Sequence, residues 1–206
     1  MEFDRDLTSL ITILVTIVVA LAVHEMMHAW VGLKLGDTTA KEKGRISFNP
    51  LAHIDPYMTV ALPIITLVLF GVPILAAKPV PFNPLRVKWD EYGAALIALA
   101  GPVSNIVMAS IAAILVRVFF PTVSFVSTAL VTFTAVNVGI FVFNMVPIPP
   151  LDGSRVLYAF APESVQKFMA QMELYGLFVV FALVILFPPF SELLININTS
   201  ILRFLL

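Results

Sequence analysis

The chain has 206 residues, of which 60% are hydrophobic and 12% are charged, and its mean hydropathy is +1.00. A soluble domain of this composition would aggregate, so the sequence predicts an integral membrane protein. The formal net charge of −1 includes no concentrated basic patch, which excludes a nucleic-acid partner, and the absence of cysteine excludes disulfides and thiolate metal ligands.

Four apolar stretches are long enough to cross a bilayer, namely residues 7–33, 92–119, 123–146 and the shorter 172–187. A further stretch at 57–80 contains Pro63 and the run Gly71-Val72-Pro73, which leaves too little continuous helix for a crossing. We therefore expect an all-α integral membrane protein of about four transmembrane helices with a re-entrant hairpin segment at 57–80.

The remaining segments predict surface elements of the same domain. Residues 45–48 and 80–82 are expected to be short membrane-surface strands. Residues 191–206 place Leu194, Ile197, Ile201 and Leu205 on one face, which predicts an interfacial amphipathic helix. No repeat or soluble domain is visible in the sequence, so residues 1–206 are expected to form a single membrane-embedded domain.

The first predicted span carries the run His24-Glu25-Met26-Met27-His28. Residues four apart share a helix face, so both imidazoles can reach one metal ion, with Glu25 beside it as a candidate base. Two histidines leave zinc short of a third protein ligand. The acidic candidates in membrane-associated regions are Asp55, Asp152 and Glu173.

Asp152 follows an unusual segment. Residues 144–153 (NMVPIPPLDG) place three prolines directly after an apolar span. Irregular backbone at membrane depth is tolerated where it is buried or lines a cavity, so this break predicts a polar chamber near Asp152. The alternative is that Asp152 only caps a short helix that starts at Gly153.

These motifs resemble the site-2 protease family of intramembrane zinc metalloproteases. The His24–His28 run resembles that family's zinc motif, and residues 144–153 resemble its second motif. Residues 101–105 (GPVSN) and 49–56 (NPLAHIDP) resemble the pattern of the small prokaryotic members. The chain departs from larger members because it shows no PDZ-like domain and no cystathionine-synthase-like regulatory domain.

The resemblance implies one zinc ion per chain, bound by His24, His28 and Asp152, with Glu25 as the catalytic base. It also implies that Asn144 helps to stabilise the reacting carbonyl. The expected reaction is hydrolysis of a peptide bond within or near a transmembrane segment of a membrane protein substrate. The expected location is a prokaryotic cell membrane, with the chain crossing the bilayer several times.

Two other polar residues have open roles. His53 is either a partner or occasional ligand of the metal site, or a loop histidine bonded to backbone. Asn105 either bonds a zinc ligand or joins Gly101 and Ala109 on a small-residue stripe that lets helices pack closely. A buried Asn144 could equally bond the carbonyls that the prolines leave free.

Chain crossings constrain the topology. If 57–80 crossed the membrane, Asp152 would be delivered to the side opposite His24 and His28, whereas re-entry brings them together. Re-entry also puts nine of the twelve basic residues on one face, which the positive-inside bias makes cytoplasmic. Those nine are Lys34, Lys41, Lys43, Arg45, Lys78, Arg86, Lys88, Arg155 and Lys167. The hypothesis is therefore a site near the cytoplasmic leaflet and both termini outside.

Two alternative functions come from other classes. A metal-ion transporter would need further polar residues leading from the site to the outer face, and the spans offer few of them. A catalytically silent homologue that binds membrane segments would be expected to lack Glu25 or a ligand, and the sequence retains all of them.

Overall fold

The computed structural model describes residues 2–53 and 80–206, and all regular structure in these residues is helical. The helices are α1 (Glu2–Lys34), α2 (Thr39–Glu42), α3 (Asp90–Phe119), α4 (Phe125–Asn144), α5 (Asp152–Phe160), α6 (Glu163–Met172), α7 (Gly176–Leu186) and α8 (Pro188–Leu205). Two 3-10 turns cover Pro50–Ala52 and Pro84–Arg86.

The prediction of membrane-surface strands at 45–48 and 80–82 is wrong. The Arg45 N–H donates to Ala40 O at 2.8 Å, and Ser47 O accepts from His53 Nε2 at 2.8 Å, so local turns use these polar groups. Beside the second segment, the Asn83 N–H donates to the Asp37 carboxylate at 2.7 Å. A strand needs a neighbouring backbone to pair with, and these groups pair with turns and side chains instead.

Three of the four predicted spans are long apolar helices in the structure. Leu7–Lys34 of α1, Asp90–Phe119 and Phe125–Asn144 are each long and apolar enough to cross a membrane. The stretch predicted at 172–187 is different: α7 has only 11 residues, and α6 meets it at a bend of 80°. The described residues thus contain three candidate spans, or four if the bent pair counts as one span.

Helix α3 lies at the centre of the bundle and contacts α1, α4, α5 and α8. The face it buries is rich in alanine, whose small side chain lets neighbouring backbones approach closely. The buried alanines of α3 are Ala94, Ala95, Ala98, Ala100, Ala109, Ala112 and Ala113. The position of α3 allows its backbone and side chains to reach two neighbouring spans at once.

The ends of three long helices meet at one end of the bundle. The Lys88 N–H donates to Leu35 O at 2.8 Å, so α3 begins where α1 ends. Asn105 of α3 bonds Asn137 of α4, and α4 returns towards the same end. The segment predicted to be re-entrant, 57–80, lies outside the described residues except for Val80.

The break after α4 is packed tightly by two glycines. A Cβ on Gly153 would lie 2.3 Å from Met145 O, and one on Gly176 would lie 1.8 Å from Pro149 O. Both distances are far below van der Waals contact, so only glycine fits. The starts of α5 and α7 are thereby held against the proline segment that leads to Asp152.

The C-terminal helix α8 lies along α4. Leu194, Ile201 and Leu205 pack against a cluster formed by Ala109, Val138 and Val142. At its far end Arg117 donates to Phe204 O at 3.3 Å and to Leu206 O at 3.4 Å. Three of the four residues predicted for its apolar face are therefore packed, while Ile197 is 42% exposed. The interfacial location of this helix stays a prediction.

Asp37 connects the end of α1 to the segment that precedes α3. Its side chain is buried and accepts hydrogen bonds from the Thr39 N–H, the Thr39 hydroxyl and the Asn83 N–H. Burial by itself would raise the pKa of Asp37, but these hydrogen bonds outweigh it, so the pKa lies below its usual value. The ionised form of Asp37 is therefore stabilised by folding.

We expect Asp37→Asn to lower the free energy of unfolding at pH 7 by on the order of 2 kcal/mol, because a charge-assisted acceptor is lost. Because the pKa of Asp37 is lower in the folded protein than in the unfolded chain, the ionised carboxylate stabilises the fold at pH values above the unfolded pKa of about 4. This stabilisation is lost as the pH falls below that value and through the folded pKa. The difference between the two proteins should thus shrink below about pH 4 in denaturant titrations in detergent. Glu42→Gln, at a nearby exposed carboxylate, is the control; an equal effect there would contradict the assignment.

Candidate metal centre

The predicted histidine pair forms on α1. His24 and His28 are 3% and 8% exposed, and their Nε2 atoms lie 3.0 Å apart. The spacing of four residues puts both rings on the face of α1 that packs against α3. Two buried imidazoles thus point their Nε2 atoms at the same small volume.

A backbone carbonyl of α3 orients His28. Its Nδ1 lies 2.7 Å from Ile97 O, which can only accept a hydrogen bond, so Nδ1 carries the proton. Pro102 lies inside α3 and has no N–H, so the helix lacks one hydrogen bond next to this carbonyl. With Nδ1 protonated, the neutral ring of His28 presents an Nε2 lone pair.

An amide side chain orients His24. Its Nδ1 lies 2.6 Å from Asn105 Oδ1, and Asn105 is fully buried. The Asn105 Nδ2 donates to Asn137 Oδ1 at 2.8 Å, which turns the Asn105 oxygen towards the ring. Of the two roles open for Asn105 in the sequence, the structure shows the hydrogen bond to a histidine of the pair. His24 therefore also presents an Nε2 lone pair.

Asp152 joins the pair as the first residue of α5. Its Oδ2 lies 3.2 Å from His24 Nε2 and 3.4 Å from His28 Nε2, and it has no hydrogen-bond partner. The alternative in which Asp152 caps a helix from Gly153 is wrong, because Leu151 occupies the cap position.

The three atoms form the face of a coordination tetrahedron. Their separations of 3.0, 3.2 and 3.4 Å compare with about 3.3 Å between ligands of a tetrahedral zinc with bonds of about 2.0 Å. A single proton could satisfy one of these three contacts, whereas a divalent cation satisfies all three. These residues fit zinc, and they are the one such group among the described residues.

Gly101 borders this site and was not among the predicted site residues. A Cβ at Gly101 would lie 2.4 Å from His28 Nε2 and 2.6 Å from His24 Nε2. The absence of a side chain therefore leaves room for both coordinating nitrogens. The sequence feature that could have identified Gly101 is its position four residues before Asn105, on the same face of α3.

The comparisons with known proteins match this chemistry. The sequence model of peptidase family M50 matches residues 120–187, which include Asp152. "Putative zinc metalloprotease YwhC" from Bacillus subtilis is 36% identical over 180 residues, which cover 84% of this chain and 78% of YwhC. The chain belongs to peptidase family M50, the site-2 protease family.

More distant relatives carry the same kind of description. The protein named Rip2 from Mycolicibacterium smegmatis is 28% identical over 167 residues, which cover 80% of this chain and 63% of Rip2. MJ0611 from Methanocaldococcus jannaschii is 32% identical over 134 residues, which cover 65% of this chain and 62% of MJ0611. This chain thus spans less than two thirds of these two relatives. No solved structure matches it.

Glu25 of the family's zinc motif lies beside the ligands. It follows His24 directly on α1 and is 8% exposed. A carboxylate at this position is a candidate base of a zinc-binding helix motif. Glu25 is therefore available to accept a proton next to a bound metal.

The structure does not bring Asn144 or His53 into this group. Asn144 Nδ2 donates to Ile140 O of its own helix at 3.0 Å. His53 is buried in the loop, where its Nε2 bonds Ser47 O, as in the loop interpretation. Of the other acidic candidates, Glu173 pairs with Arg155, and Asp55 lies outside the described residues.

We expect Gly101→Ala to abolish stoichiometric zinc binding, because its Cβ would displace both imidazoles. The measurement is zinc content per chain of the folded, detergent-purified protein. Gly139→Ala is the matched control, since a Cβ there meets only Asn198 Nδ2 at 3.8 Å. Full zinc occupancy in Gly101→Ala would contradict the geometry described for the site.

Proposed function

We propose that this protein is an intramembrane zinc endopeptidase that hydrolyses a peptide bond within or near a transmembrane segment of another membrane protein. One zinc ion per chain is bound by His24, His28 and Asp152. The observation that supports this most strongly is the triangle of three potential ligand atoms inside a bundle of candidate membrane-spanning helices. Membership of the site-2 protease family supports the zinc chemistry.

When bound, zinc would polarise the scissile carbonyl and lower the pKa of a water molecule to about 7. Glu25 takes a proton from the attacking water and passes it to the leaving amine. Ile97 and Asn105 hold the imidazoles in the coordinating tautomer. Asn144 stabilises the reacting carbonyl with the Nδ2 hydrogen that Ile140 O does not use.

The site lies near the cytoplasmic leaflet in this proposal. His28 is six residues before Lys34, the last residue of α1, which corresponds to roughly 9 Å of helix. The topology predicted from the sequence assigns nine of the twelve basic residues to that end, and the positive-inside bias makes it cytoplasmic. In this proposal residues 1–206 belong to a multi-pass protein of a prokaryotic plasma membrane.

The substrate must present an accessible amide to this site. The amides of a transmembrane helix are bonded within the helix, so the segment to be cut must unwind locally. Cleavage is expected near helix-weakening residues, such as glycine, proline or asparagine, close to the cytoplasmic end of the substrate's span.

The arrangement of polar residues favours a peptidase over a metal-ion transporter. Deeper in the bundle the fully buried polar side chains include Asn105, Asn137 and Thr134, and each is hydrogen-bonded. Within the described residues, no acidic or histidine side chain continues from the metal centre along this path. A permeating cation would therefore find no ligands beyond the site.

We expect Glu25→Gln to retain zinc and lose cleavage by a factor of at least about a thousand, because it removes only the base. Asp152→Ala should lose both. The assay is co-expression with tagged single-span proteins that carry a Gly-Pro pair near the cytoplasmic end of the span, and mass spectrometry locates the cut. The Gly139→Ala protein, altered away from the site, should cleave as the natural protein does. Undiminished cleavage by Glu25→Gln would overturn the mechanism.

Cysteine labelling tests the orientation, since the natural sequence has no cysteine. Leu85 and Val123 are 96% and 98% exposed and lie at opposite ends of the bundle. With a membrane-impermeant maleimide, Val123→Cys should be labelled in intact cells, while Leu85→Cys should react only in inverted vesicles. The reverse pattern would place the metal centre at the outer leaflet.

A further inference from the structure

We propose that Asn137 on α4 is a positioning residue that fixes the metal-binding tautomer of His24 through Asn105. The inference rests on the proposed role of His24 as a zinc ligand, but it does not depend on peptidase activity. Asn137 touches neither the histidine pair nor Asp152. Its influence runs through two consecutive hydrogen bonds that cross from α4 to α3 and from α3 to α1.

The first step fixes the orientation of the Asn137 amide. Its Nδ2 donates to Phe133 O at 2.9 Å, and a backbone carbonyl can only accept. The amide nitrogen therefore faces Phe133, and Oδ1 faces Asn105. Both asparagines are fully buried, so neither can exchange this partner for water.

The second step transfers this orientation to Asn105. Asn137 Oδ1 accepts from Asn105 Nδ2 at 2.8 Å, and the same Nδ2 lies 3.4 Å from Ala20 O. Two acceptors on one side of the amide place its nitrogen there and leave Oδ1 on the other side. If the Asn105 amide turned over, an oxygen would face two oxygens in a water-free interior.

The third step sets the proton on His24. Asn105 Oδ1 lies 2.6 Å from His24 Nδ1 and can only accept, so the proton is on Nδ1 and the lone pair is on Nε2. Only this tautomer of the neutral ring can bind a metal through Nε2. A turned Asn105 would present an N–H donor and favour the other tautomer.

The two histidines therefore differ in how they are held. His28 bonds a backbone carbonyl whose orientation is set by α3 itself. His24 depends on two side-chain amides, each of which could rotate if its partner were removed. Asn137 is the terminal member of this chain, and it is the one attached to a backbone acceptor by its own helix.

The test compares Asn137→Leu with Thr134→Val in detergent-purified protein. Leucine branches at Cγ as asparagine does and, although its side chain is larger, it offers no acceptor to Asn105. Thr134 is also a fully buried polar residue of α4, and it bonds Ala109 O and Leu130 O, with no link to His24.

Zinc affinity is measured by competition with a chelator. We expect Asn137→Leu to weaken zinc binding about tenfold, as loss of a partner to a ligating histidine does. Thr134→Val should stay within about twofold.

A spectroscopic readout separates positioning from general stability. Nitrogen-15 NMR of histidine-labelled, zinc-free protein reports which ring nitrogen carries the proton, and only three histidines need assignment. His24 should be protonated on Nδ1 in the natural protein and partly on Nε2 in Asn137→Leu. If Asn137→Leu yields no folded protein, Asn137→Ala takes its place in the same measurements.

Unchanged zinc affinity and tautomer in Asn137→Leu would overturn the proposal, as would an equal loss in Thr134→Val. None of these measurements uses a substrate, so a protein that binds zinc but cleaves nothing would refute the proposed function alone.

Discussion

The structure depends on three buried atoms that all carry lone pairs and lie within 3.4 Å of one another. In an apolar bundle such a group is unfavourable unless a cation binds it, and it stays ordered only if each side chain is held from behind. Ile97 O holds His28, and Asn105 holds His24. Asp152 is held through its backbone, since Gly153 and Gly176 pack against the proline segment before it.

One helix supplies most of this support. Ile97, Gly101 and Asn105 are spaced by four along α3, so they form one stripe facing α1. The first offers a carbonyl, the second offers space, and the third offers an amide oxygen. Pro102 has no N–H to donate to the carbonyl of Ala98, which is one residue after the carbonyl that His28 uses. The small residues of α3 thus serve both close packing and the metal centre.

The matched part of the chain contains only part of the candidate metal centre. The family model covers residues 120–187, which supply Asp152 and the tight loop before it, while the histidine pair lies on α1. The candidate metal centre therefore forms only when α1, which carries the histidine pair, and α5, which begins with Asp152, both pack against α3. Peptidase activity, zinc affinity and the stability of this helix packing are expected to be coupled for that reason.

The sequence alone determined much of this protein. Its apolar stretches predicted four spans, three of which are long helices in the structure. The spacing of His24 and His28 indicated a metal-binding pair, and the broken segment made Asp152 one of three acidic candidates for the third ligand. Only the tertiary structure decided the rest. The expected strands are absent from the described residues because their polar groups bond locally. The stretch 172–187 contains only the short helix α7, which meets α6 at 80° and begins where Gly176 packs on Pro149. The space that Gly101 leaves and the role proposed for Asn137 depend on contacts between helices far apart in sequence, which local patterns do not specify.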